Sequence, residues 1–103
     1  MMHLIEILLP LSDNEGKAFP AKKYAKVRNV LMAEFGGMTA FTRAPAEGLW
    51  APGEAEAKRD EIVVFEVMTD KIDKQWWSEY RRRLERQLRQ EAVIIRTHKI
   101  ELL

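Results

Sequence analysis

Four ionisable side chains with complementary chemistry sit in stretches that read as β-strand: Glu6 in HLIEILL, Glu66 in IVVFEVMT, and Arg96 and His98 in VIIRTHKI. At period two, Glu6 turns away from the core if Ile5 and Ile7 face it. The same parity sends Glu66 away from Val63, Phe65 and Val67, and Arg96 and His98 away from Val93 and Ile95. Two acids, an arginine and a histidine then share one surface. In a partly apolar cleft His98 would act as general base or acid, Glu6 or Glu66 would orient it, and Arg96 would hold an anionic group or developing oxyanion. The simpler alternative is ion pairing of Glu6, Glu66 and Arg96 across strands or across a subunit interface. Pairing, ligand binding and catalysis all stay open, and no residue is assigned as catalytic. Trp50 joins the candidates because an aromatic in a polar, Gly-flanked loop needs a reason: a lid over that surface, or an anchor for the loop.

The elements that must position these residues follow from patterning. Glu61 to Thr69 (EIVVFEVMT) is the most strand-like run, β-branched and aromatic with no Gly or Pro. Both of its faces are apolar, which marks a central strand covered on each side. His3 to Leu9 is a first strand of the same kind. Pro10 to Phe19 is a turn-rich connection in which Ser12, Asp13, Asn14 and Gly16 supply acceptors and a permissive backbone. Pro20 suits the first turn of a helix, Tyr24, Val27, Leu31 and Phe35 form its apolar stripe, and Gly36–Gly37 stop it. Met38 to Arg43 is a short second strand, and 44–60 is a long loop. Asp70 or Asp73 caps a second helix running to about Gln90, with Trp76, Trp77, Tyr80, Leu84 and Leu88 as its stripe. Ala92 to Ile100 is the last strand.

Strand, helix, strand, strand, helix, strand is the order of an α+β, ferredoxin-like βαββαβ domain over residues 1–103: a four-stranded antiparallel sheet with both helices on one face. Its first and third strands are central, and these are the two that read as apolar on both faces. The second face, left wet, would be a patch of several hundred Å², large for a monomer. A second copy of the chain is therefore expected against it, as a two-fold homodimer.

Composition narrows the classes. The chain has 103 residues, no Cys and a formal charge of +1, so disulfides, thiolate nucleophiles and Cys-bearing metal sites are excluded, and no global field draws it to nucleic acid or acidic lipid. The opening MMHLIEILLP carries Glu6, lacks a basic leader and stops at Pro10, so no membrane span or signal is expected and the cytoplasm is the default location. His3 and His98 cannot form an HExxH site, Gly36–Gly37 is no phosphate-cradling loop, and Ser12–Asp13–Asn14 lacks an SxxK partner. No metal and no cofactor is expected. No proline follows the first Met residues to support tautomerase chemistry. Arg81, Arg82, Arg83, Arg86 and Arg89 invite a nucleic-acid reading. They spread around the exposed arc, however, and Glu79 and Glu85 precede Arg83 and Arg89 by four residues, the favoured spacing for intrahelical pairs. A solvated face is the reading taken, with no nucleic-acid partner.

Five strings carry a family resemblance over nearly the whole chain: FGGMT after the first helix, EGLW in the long loop, RDEIVVFEV in the central strand, WW in the second helix and QEAVIIR before the last strand. Together they resemble a group of small bacterial proteins that look like members of the dimeric α+β barrel superfamily. The resemblance implies the ferredoxin-like fold and a dimer, and lends no catalytic residues. The superfamily includes cofactor-free monooxygenases, isomerases and ligand-sensing domains, so fold does not select among them. The expected function is small-molecule binding in a cleft on the open sheet face, near Glu6, Trp50, Glu66, Arg96 and His98. The alternatives are a structural or protein-interaction module without a ligand, and a cofactor-free monooxygenase- or isomerase-like enzyme.

Overall fold

The fold is described for residues 2–43 and 62–103 of a computed structural model. Trp50 and the long loop around it lie outside the described residues. The elements are β1 (Met2–Pro10), α1 (Ala21–Phe35), β2 (Thr39–Arg43), β3 (Ile62–Thr69), α2 (Lys74–Gln87) and β4 (Ile94–Ile100). All pairings are antiparallel and the sheet order is β2-β3-β1-β4. This is the expected ferredoxin-like arrangement, with the two doubly apolar strands in the centre.

One sheet face and both helices enclose the core. Ile5, Ile7 and Leu9 of β1 and Val63, Phe65 and Val67 of β3 meet Val27 and Leu31 of α1, and Trp77, Tyr80 and Leu84 of α2, all nearly inaccessible to water. Val93 joins them just before β4. Each such side chain contributes about 1.5–3 kcal/mol relative to an exposed position. At the joint between the helices, Phe35, the last residue of α1, stacks on Trp77 at 5.3 Å, and Trp76 meets Trp77 edge-on at 4.8 Å. At the other end the Lys23 ammonium donates to the Gln87 carbonyl (2.7 Å), a cation at the negative end of α2.

Local chemistry explains where the elements start and stop. The Asp13 carboxylate accepts from the Glu15 and Lys17 amides, both at 2.9 Å, and folds the first connection back so that Ser12 bridges Ala18. Of the two candidate caps, Asp73 is the one used: its side chain accepts from the Trp76 amide at 3.1 Å. Helix α1 ends at Gly36 in the left-handed region (φ 75°), as the glycine pair requires.

Helix α2 ends at Gln87, not near Gln90 as the pattern suggests. Arg89 adopts φ 51°, its amide donates to the Arg86 carbonyl, and the Gln90 amide reaches back to the Glu85 carbonyl (2.9 Å). These bonds make a Schellman closure with arginine where glycine is usual. β4 accordingly begins at Ile94, two residues later than expected, because the Val93 amide is taken by the Glu85 carboxylate (3.1 Å).

The Tyr80 hydroxyl is buried between the helices with no hydrogen-bond partner among the described residues. Burial pushes its phenol up to about 12, against an opposing pull from Arg83. An unfolded chain ionises the same phenol near pH 10. Above that pH the unfolded state therefore holds fewer protons than the folded one, and stability falls as pH rises. The expected loss is about 2 kcal/mol by pH 12, with no effect below pH 10. Urea titrations at pH 8, 10 and 11 on the wild type and Tyr80→Phe check this: the extra alkaline slope should vanish in the variant, and equal slopes would refute it.

Candidate functional site

Strand register sets the site. Thr39 of β2 pairs with Glu66 of β3, Glu66 with Glu6 of β1, and Glu6 with Arg96 of β4. A polar row thus crosses the whole sheet on the face opposite the helices. On one side runs an apolar row of Val64, Leu8 and Ile94; on the other, Met68 and Leu4 lead to His98. Parity places every strand candidate where alternation requires, because Ile5, Ile7, Phe65, Val67 and Ile95 are held in or against the core.

Glu6 is the hub. Its Oε1 accepts from Arg96 Nε at 3.0 Å and lies 4.0 Å from His98 Nδ1. The Glu6 side chain is 12% exposed, whereas Arg96 and His98 are 49% and 55% exposed. The acid is therefore held in place while its basic partners reach into solvent. Glu66 stands directly opposite Glu6 and, among the described residues, makes no ion pair. Directly opposed like charges weaken a sheet. Two carboxylates against one guanidinium leave the row net acidic whenever His98 is neutral, so it suits a group that brings positive charge or hydrogen-bond donors.

The structure brings Arg96 and His98 to one carboxylate oxygen of Glu6 and adds Glu66 by register; Trp50 lies outside the described residues. None of the main cavities lined by described residues includes Glu6, Glu66 or His98. Among the described residues no cluster of three His, Asp or Glu could hold a metal ion. None of their helices is long and apolar enough to cross a membrane.

The arginine run is exposed on α2 and its end, but the two intrahelical pairs expected from spacing do not form. Glu79 accepts instead from Gln75 Nε2 (3.3 Å), and Glu85 is engaged by Val93. Arg83 lies over the Tyr80 ring at 5.2 Å, and Arg89 has left the helix. Competing donors and a terminated helix override the four-residue rule.

A cavity of about 280 Å³ lies on the helix side, between α2 and β4, with Ile5, Ile72, Trp77 and Ile95 among its lining and Lys74, Ser78 and Arg81 at one wall. Sequence patterning singles out neither Lys74 nor Ser78, and reads Arg81 as part of a solvated face. Their spacing of four and three places them on one helical face, but only the packed structure shows that this face borders a cavity.

A phage SAM lyase solved in complex with S-methyl-5'-thioadenosine matches the structure with a TM-score of 0.62 at 11% sequence identity, covering 95% of this chain and 81% of that one. The likeness is one of fold. It agrees with the α+β, ferredoxin-like topology described above. No protein-family model and no curated protein matches the chain.

Proposed function

We propose that the chain binds a small molecule on the open sheet face, in a cleft closed by a second copy, and that sulfonium or thioether nucleosides are its ligand class. The observation that carries this is the row Thr39–Glu66–Glu6–Arg96, in which Glu6 holds the guanidinium and the facing Glu66 makes no ion pair among the described residues. A sulfonium centre supplies the missing positive charge between Glu6 and Glu66. The exposed Arg96 and His98 suit the carboxylate of an attached amino-acid tail, and Leu4, Leu8 and Ile94 offer apolar surface to a base and ribose. The phage SAM lyase of similar fold, with its bound thioether nucleoside, lends this class support.

Calorimetric titration with S-adenosylmethionine and with S-methyl-5'-thioadenosine tests the reading. Glu66→Gln is expected to weaken the sulfonium about tenfold, about 1.4 kcal/mol, and to leave the neutral thioether nearly unchanged. Absence of saturable binding of either compound to the wild type would overturn the ligand class. The 3.0 Å Glu6–Arg96 pair favours one rival, a purely structural interface; a Glu66→Gln variant that loosens the dimer while every ligand response stays the same would establish that instead.

A further inference from the structure

We infer that the cavity between α2 and β4 is a second binding site, separate from the open face, for a small amphipathic carboxylic acid. Its floor is apolar: Ile5, Ile72, Trp77 and Ile95. Its polar side chains are donors or cations, with Lys74, Ser78 and Arg81 on α2 and Thr97 on β4; Arg96 borders it while its own side chain turns to Glu6 on the opposite face, and no Asp or Glu lines it. The nearby Asp73 carboxylate is turned to the Trp76 amide as the helix cap. Among the described residues neither Lys74 nor Arg81 makes an ion pair.

An apolar pocket rimmed by uncompensated cations selects a ligand with an apolar body and one negative end. Lys74 and Arg81 are seven residues apart, two helical turns or about 10 Å, so they bracket the mouth from both ends. Ser78 lies between them and adds a hydroxyl donor. The volume of about 280 Å³ is at the small end for ligand pockets, which fits an aromatic or short branched acid and not a long acyl chain. Arginine and lysine differ here: Arg81 offers a bidentate fork to the carboxylate, Lys74 a point charge that tolerates varied geometry.

The probe is 4-phenylbutyrate, with its primary amide as neutral control, followed by calorimetry and by amide shifts of Ile95 and Thr97. The carboxylate is expected to bind saturably and the amide at least tenfold more weakly. Lys74→Glu with Arg81→Glu should abolish binding, and Glu66→Gln should leave it unchanged. If the double reversal disturbs folding, Lys74→Ala with Arg81→Ala should still weaken the acid tenfold relative to the amide. Equal affinity for acid and amide, no saturable binding, or shifts confined to the open face would each overturn the assignment.

Discussion

Replacing Trp77 by alanine is expected to lower stability by about 4–5 kcal/mol, the largest loss from any single truncation among the described residues. Removing a buried tryptophan costs about 3–5 kcal/mol through lost transfer energy and the void left behind. Trp77 also stacks on Phe35 at 5.3 Å and 15° and receives the Trp76 edge at 4.8 Å, and aromatic pairs add about 0.5–1.5 kcal/mol each. These contacts join the end of α1 to the start of α2, so their loss frees both helices at one end. A domain of this size has only about 5–15 kcal/mol in total, so the variant should be close to unfolded at 37 °C. Urea denaturation reads this directly: the midpoint should fall by about 2 M or more. Trp77→Phe, which keeps the stack, should recover at least half. A midpoint shift below about 0.5 M would show that the aromatic cluster is not the joint described.

In solution the chain is expected to run at twice its 12.0 kDa down to low micromolar concentration, and Met68→Glu with Ile94→Glu to halve that mass. Met68 and Ile94 are 50% and 58% exposed on the open face. With Leu4 and Leu8 they surround the polar row by an apolar surface on the order of several hundred Å². A charged side chain at each position would be desolvated on pairing, at a cost of several kcal/mol per ion, enough to abolish a dimer of micromolar affinity. Light scattering on a sizing column over a hundredfold range of concentration decides it. A 12.0 kDa species throughout would remove the second copy and leave any ligand to bind a single exposed sheet.

Strand parity was legible in the sequence because it depends on one number, the period of two. Once Ile5 and Phe65 are core residues, Glu6 and Glu66 have no choice of face, and the register then makes them opposite. The end of α2 was less legible: Arg89 takes a left-handed conformation with no glycine to announce it. The Arg83 and Arg89 pairs failed for another reason: the Glu79 carboxylate accepts from Gln75 one turn earlier on the same helix, and the Glu85 carboxylate accepts from the Val93 amide beyond the helix end. The cavity by α2 is a gap between two elements, and a gap leaves no pattern in the chain. Trp50, the loop candidate, depends on residues outside those described.

One outer edge of the sheet, at β4, bears on how copies can meet. β4 is an outer strand of seven residues, and Arg96 and Lys99 punctuate it. An unguarded edge invites strand addition and runaway polymerisation, and cationic side chains along it are a gatekeeper against that fate. A second β4 drawn alongside would bring these cations against their own kind. Growth of the sheet sideways at β4 is thereby discouraged, which leaves the two sheet faces and the far edge as the surfaces on which copies could meet.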